Sequence, residues 1–383
     1  MPIITGVQDT ININQSQRVI DMSDKIWLLE PDKYPLTVLL SRLRKLAATQ
    51  PKVEWLEDVL FPRSTLLVSL AAAGTALAVT VGTGPQFKAG DVVVNVATGE
   101  TMLVQSVAGD TLTVIRDWGG ATGAVLGVAG QTIVGIGNAN PENGSLPVIK
   151  TVQETNLFNF TEIFRNPFGA SRTQDQSKLY GGRSRDYLRK KVGIEHMVDI
   201  ERALWFGKKK EDTTGTNPRR ALGGIKEFIV TNVLNNSGAA LTDAVFETFC
   251  RQLFRFGNST KFAFCAPKGI SAINQFANGK LFLVPKDETY GLTIYRYASG
   301  HGTINLIRSI IFESAGTADG AESWNTLIFG LDLEHIVYRP MQDTMLMTDR
   351  QANDADGWID EYLTETSLMV TNEKCHALLK NFL

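Results

Sequence analysis

Residues 69–147 hold only two of the chain's 38 basic residues, Lys88 and Arg116, yet 14 of its 34 glycines. So sharp a change in composition within one polypeptide marks a separately folding module. Inside it, the alternating runs Leu77-Val79-Val81, Val92-Val94-Val96, Met102-Val104 and Leu112-Val114 are parted by Gly82-Thr83-Gly84, Thr98-Gly99 and Gly109-Asp110. Alternation at period two, with turn residues at regular intervals, predicts antiparallel hairpins that close into a small barrel or sandwich.

The flanks of this module, Val53-Glu54-Trp55-Leu56-Glu57 before it and residues 151–165 after it, both read as extended. In the second flank Phe158, Phe160 and Phe164 share one face, with Asn159, Thr161 and Arg165 on the other. If the flanks pair, they form a two-stranded arm with a β module at its tip. Such a ribbon is marginal alone in water, and no other segment of the chain offers an obvious cover.

Beyond Pro167 the period changes. Tyr180, Tyr187, Ile194, Val198 and Trp205 fall on one helical face, which predicts a long helix ending near Gly207. Its polar side is basic: residues 172–210 carry 11 Lys and Arg against five acids, a local charge of +6. Such a stripe reads equally as a solvated face or as a surface resting beside polyphosphate; Glu195, Asp199 and Glu201 interrupt it, so any such contact is nonspecific. Strands over 226–231, 261–266 and 292–297 alternate with helices over 241–256 and 269–276, which predicts a mixed α+β domain. Long strands over 325–340, 344–348 and 360–371 follow, then a terminal helix over 373–382. The first 51 residues read as an arm with short helices, an amphipathic turn around Val19, Met22, Ile26 and Leu29 and then a stretch around Leu36-Leu39-Leu40-Leu43.

At 383 residues, 43% of them hydrophobic and 20% charged, the chain should be globular with two or three folding units. A net charge of −2 disfavours wrapping of nucleic acid as the main activity. Cys250, Cys265 and Cys375 lack the close pairs of a zinc site or the density of a disulfide framework, so they read as buried thiols in a reducing compartment. Residues 1–14 lack a basic region followed by an apolar stretch, which predicts cytosolic synthesis, and the charge-free run between Arg63 and Lys88 is diluted by glycine and threonine, so it reads as strands rather than a membrane helix.

No phosphate loop, nucleophile elbow or zinc-binding His-Glu-x-x-His is present, and the four histidines have no partners at metal-ligand spacing. Asp354-Ala355-Asp356-Gly357 has part of a calcium loop's rhythm, but Ala352 and Leu363 occupy positions that need carboxylates. No cofactor or metal is expected.

The order of parts (arm, two-stranded loop, long helix, mixed α+β domain, returning strands) resembles the major capsid proteins of tailed bacteriophages with the Hong Kong ninety-seven fold. Local segments strengthen the resemblance: Asp21-Met22-Ser23-Asp24-Lys25-Ile26-Trp27, Pro35-Leu36, Val53-Glu54-Trp55, Tyr180-Gly181-Gly182, residues 195–201, Gly223-Gly224-Ile225 and Glu373-Lys374-Cys375-His376-Ala377. The resemblance implies an N-terminal arm over 1–52, an extended loop over 53–68 and 148–172, and an all-β insertion over 69–147. It also implies a peripheral domain over 173–225 and 326–383, with its spine helix over 173–210, and an axial domain over 226–325.

By the same resemblance the function is structural and non-enzymatic: hexamers and pentamers form an icosahedral head around double-stranded DNA, built in the host cytoplasm, without a membrane. Separate scaffolding, decoration and portal proteins are the implied partners. Trp27, Trp55, Phe158, Phe160, Arg350, Asp354 and Asp356 are the expected assembly contacts, the last three on the 349–357 loop near a three-fold axis. Arg183, Arg185, Arg189, Lys190 and Lys191 are the expected interior basic face. Two alternatives stand beside this: an encapsulin-like nanocompartment shell, and an enzyme carrying a β carbohydrate-binding module.

Overall fold

Alternating apolar residues close the glycine-rich segment into a barrel. The computed structural model describes residues 35–42, 45–70, 74–120, 127–144, 146–177, 184–276, 281–283, 294–313 and 324–382. The chain divides into two compact units, Leu56–Asn156 and the combination of Met1–Trp55 with Leu157–Leu383. Strand β1 (Lys52–Glu57) pairs with β8 (Thr155–Phe160) in a two-stranded sheet.

In the Leu56–Asn156 unit, β2 (Ser64–Ser69), β3 (Ala76–Val79), β4 (Asp91–Asn95), β5 (Thr101–Ala108), β6 (Thr111–Ile115) and β7 (Thr132–Asn138) form a closed barrel in the order β2-β3-β6-β5-β4-β7. Closure leaves no sheet edge. Leu67, Leu77, Val79, Val93, Met102, Val104, Leu112, Val114 and Ile133 fill the interior, together with Phe87. Barrel pairing starts at Ser64, inside the segment the sequence assigns to the extended loop, so the module's boundary lies before residue 69. The facing of β4 also differs from expectation. Val93 is fully buried, not the set Val92, Val94 and Val96, because a register shift between Val92 and Val93 in the β4–β7 pairing moves the inward face by one residue. Gly109, at φ +58, turns the β5–β6 hairpin, and a Cβ on Gly84 would collide with its carbonyl oxygen.

In the other unit a seven-stranded mixed sheet runs β12 (Val233–Ala239), β20 (Ala377–Phe382), β17 (Ile328–Leu331), β13 (Thr260–Cys265), β16 (Gly302–Arg308), β15 (Ile294–Ser299) and β14 (Leu281–Leu283). Helix α5 (Asp243–Leu253) begins at Thr242, whose hydroxyl accepts from the Val245 amide at 3.4 Å, and buries Phe246, Phe249, Cys250 and Leu253. Helix α6 (Pro267–Phe276) adds Ile273 to the same core.

Two expectations change here. Residues 373–382 form a 3-10 turn and then strand β20 rather than a helix: Ala377, Leu378 and Leu379 are all buried between β12 and β17, and a short continuous apolar run fits a central strand as well as a helix. Residues 226–231 contain a one-turn helix, α4 (Ile225–Phe228), instead of a strand. The sheet also draws β17 and β20 from beyond residue 325, so the contiguous segment 226–325 does not complete it.

A second sheet runs β18 (Ile336–Met347), β19 (Gly357–Val370) and β9 (Glu162–Ser171), all antiparallel. Ten residues of β9 pair with β19, so this stretch is a sheet strand and not part of a free loop. Helices α2 (Arg172–Gln176) and α3 (Ser184–Phe206) follow β9 and end one residue before Gly207. Two short strands, β10 (Lys210–Asp212) and β11 (Arg219–Ala221), then form a hairpin. Trp205 lies fully buried within 4.8–5.1 Å of the rings of Phe264, Phe312 and Phe329. Helix α1 (Pro35–Arg42) buries Leu36, Leu39 and Leu40 in this core. The amphipathic turn around Val19–Leu29, Trp27, Tyr180 and Arg183 lie outside the described residues.

Candidate functional site

Helix α3 presents two arginines one turn apart to β19, where Asp360 is 0% exposed. Asp360 accepts from Arg185 Nε and Nη2 at 2.9 and 2.6 Å, from Arg189 Nε and Nη2 at 3.1 and 2.9 Å, and from the Asp349 amide at 3.1 Å. Burial alone would raise this carboxyl, but the hydrogen bonds outweigh it and hold the group below its ordinary range. The Asp360 hydrogen bond in turn makes the Arg185 guanidinium more basic, and Arg185 also stands 4.8 Å from the Trp358 ring centre.

Arg185 and Arg189, expected on an interior basic face, have their charge committed to Asp360 and, for Arg185, also to Asp349 at 3.0 Å. Lys191 sits 3.9 Å from Glu195 on the helix surface, and Lys190 is exposed. Helical spacing locates these side chains on faces; it cannot say which face meets an acid from a distant strand.

The 349–357 loop is tied down within the chain. Asp356 accepts from Arg172 Nε at 2.7 Å, the Arg350 amide donates to the Ile359 carbonyl at 2.7 Å, and the Arg350 side chain lies 3.9 Å from Glu361. Asp354 is exposed at the tip.

The aromatic residues of the ribbon also turn onto their own chain. Trp55 is 6% exposed, with its ring 5.8 Å from that of Phe228; Phe160 is buried and meets Phe158 edge-on at 5.5 Å. Phe158 lies between the ammonium groups of Lys52 and Lys209, at 4.5 and 4.6 Å. Asn159, expected on the polar face, is buried: it donates to the carbonyls of Gly223 and Leu368 at 2.9 and 2.7 Å and accepts the Gly223 amide at 2.7 Å.

Exposed apolar surface lies instead on the two segments that lead into and out of the barrel. Leu60 is 94%, Leu146 86% and Ile149 85% exposed, and Leu56, Val59 and Val148 are also open. A concentration of exposed aliphatic side chains marks an interaction surface. The signal for it was available in sequence, since Asp58-Val59-Leu60-Phe61-Pro62 and Leu146-Pro147-Val148-Ile149 are apolar runs without strand alternation, flanked or broken by proline.

Glu201, which the sequence presents only as a break in the basic stripe, is buried beneath α1 and accepts the amides of Leu36 and Thr37. The three cysteines are buried, and burial pushes the Cys250 thiol up to about 12. His196 bridges Asn166 and Thr364 at 2.6 and 2.7 Å. Among the described residues no group of three or more His, Cys, Asp or Glu could hold a metal ion, and no helix is long and apolar enough to cross a membrane.

Known proteins fit this architecture. A family described as SU10 major capsid protein matches residues 3–382. A curated relative, the major capsid protein of Pseudomonas phage PaMx41, is 24% identical over 270 residues, or 67% of this chain, and the matched part spans 64% of that relative's length. Among solved structures, the capsid of a native GTA particle covers 99% of this chain and 100% of its own at a TM-score of 0.50 and 10% identity. The SrpI encapsulin of Synechococcus elongatus PCC 7942 covers 60% and 76% at a TM-score of 0.40 and 12% identity. The full-length likeness to the GTA capsid concerns fold alone and gives this chain the Hong Kong ninety-seven architecture. With the barrel, the helix α3 and the two sheets accounted for within a match that runs almost end to end, the chain belongs to the SU10 major capsid protein family.

Proposed function

We propose that this chain is the structural subunit of a phage head, assembling through copies of itself into hexamers and pentamers around double-stranded DNA, and that it is not an enzyme. The observation that carries the reading is the exposed apolar surface of residues 56–61 and 146–149, which one copy leaves in water and a neighbouring copy could bury. On this reading the seven-stranded sheet lies toward the ring centre, while α3 and the β18-β19-β9 sheet form the periphery. A net charge of −2 limits adhesion to the packaged DNA. Assembly takes place in the host cytoplasm, with scaffolding, decoration and portal proteins supplied by other chains.

Electron microscopy of the expressed chain, alone and with co-expressed neighbouring gene products, tests the proposal. Rings, sheets or closed polyhedra are expected. Leu60→Asp combined with Ile149→Asp should abolish them while leaving the monomer's thermal unfolding unchanged. Monomers under every condition would overturn the reading, and particles filled with protein cargo rather than DNA would replace it with a nanocompartment.

A further inference from the structure

The Leu56–Asn156 unit is acidic, with eight Asp and Glu against four Lys and Arg. One of the four, Arg116, is closed onto the buried Glu100 at 2.6 and 2.7 Å. The other three, Arg63, Lys88 and Lys150, come from three separate segments and all line one cleft of about 330 Å³ on the barrel. Their convergence runs against the sign of the unit that carries them. Asp91 is the one acid that lines the cleft beside them, which leaves an excess of positive charge and favours an anion that neutralises it.

The cleft is built rather than incidental. Lys150 Nζ is held by the carbonyls of Pro85, at 2.9 Å, and Phe87, which leaves one of its three N–H groups to donate. The Arg63 carbonyl accepts the Gly135 amide at 2.7 Å, fixing that residue's backbone against β7. Asp91, the cleft's one carboxylate, accepts from the Lys88 amide at 2.8 Å. Arg63 and Lys88 have no ion pair among the described residues.

Two further features narrow the ligand. The Gln86 side-chain oxygen is buried and accepts no hydrogen bond, an arrangement that costs free energy unless a ligand supplies a donor. Phe61, Phe87 and Val148 give the cleft apolar walls. A ligand that carries negative charge, hydroxyl donors and an apolar ring face satisfies all of these at once, and the volume exceeds what a small inorganic anion fills.

We propose that this cleft binds an acidic sugar, a uronic acid whose carboxylate meets Arg63, Lys88 and Lys150 and whose hydroxyl donates to Gln86. A free sugar and a unit of a polysaccharide share this carboxylate and hydroxyl chemistry. Phe61 and Val148 belong also to the apolar segments given above to contact between copies, so the cleft is open in the unassembled chain.

Titration calorimetry on the full chain with glucuronate, glucose, inorganic phosphate and a short galacturonate oligomer tests it. Saturable glucuronate binding is expected, at least about tenfold tighter than glucose or phosphate. It should weaken by about tenfold in Lys88→Glu and in Gln86→Leu and stay unchanged in Lys268→Glu, an exposed lysine of the other unit. Should Lys88→Glu not fold, Lys88→Gln carries the test. Tighter binding of the oligomer than of glucuronate identifies a polymer as the source, and equal or weaker binding a free sugar; either supports the site. Phosphate binding as tight as glucuronate overturns the sugar assignment, glucose binding as tight overturns the role of the cations, and the absence of saturable glucuronate and oligomer binding overturns the proposal entirely.

Discussion

Glu201 Oε1 accepts the backbone N–H of Leu36 at 3.1 Å, across 165 residues of sequence. Its second oxygen takes the Thr37 amide at 3.0 Å, and Trp205 Nε1 donates to the first at 3.3 Å. A helix begins with amides that have no partner within the helix and with the positive end of its dipole. The carboxylate supplies both missing acceptors, so a side chain of α3 anchors the first turn of α1. Glu201→Ala would leave two amides and an indole N–H unpaired in the interior, and a loss of about 2–4 kcal/mol is expected in chemical unfolding.

The same anchor makes stability depend on pH. Burial pushes the Glu201 carboxyl from its ordinary 4.5 up to about 7, against the pull of the hydrogen bonds it accepts. Because the folded value lies above the unfolded one, the contribution is complete below pH 4.5 and disappears as pH rises through about 7. Thermal unfolding compared with Glu201→Gln across this range should show the wild type losing its relative advantage as pH increases; parallel curves would contradict it.

Asp360 works in the opposite sense. Its folded value is held below the ordinary 3.8, so its contribution is present above that pH and is lost as pH falls further. Asp360→Asn should cost about 3 kcal/mol, since it leaves Arg185 and Arg189 partly buried without their carboxylate. The difference from wild type should shrink in strong acid when both are unfolded by urea.

Trp55→Ala should destabilise the isolated subunit by about 3 kcal/mol, because the indole is buried against its own chain near Phe228. As the assembly contact expected from the sequence, Trp55 would instead show its defect mainly in assembly. A variant monomer as stable as wild type that fails to assemble would restore that view.

Replacing residues 58–154 with a flexible Gly-Ser linker should leave the larger unit folded, since the barrel closes its own sheet and core. Removing only 69–147 should yield a less soluble product, because most of β2 remains and exposes Leu67, which the barrel buries. Circular dichroism and solubility of the two deletions distinguish these outcomes.

Much of this molecule was legible along the chain. The poor charge and abundant glycine of 69–147 marked the barrel segment, period-two runs gave its strands, the helical period placed the end of α3 beside Gly207, and the apolar settings of Cys250 and Cys265 gave buried thiols. Each signal is local: backbone geometry imposes its period within a window of ten or so residues. The run of parts was enough for the capsid family to be recognised.

Other features were settled only when distant segments met. One bulge in the β4–β7 pairing turned Val93 inward, neighbours on both sides made 377–382 a central strand, and Asp360 claimed arginines 171 and 175 residues away. Whether Trp55 or Leu60 faces water depends on what covers each, and a sequence carries hydrophobicity without its cover. Local spacing fixes the kind of element that forms; long-range pairing, whose partners no window contains, decides which of its side chains remain on the surface.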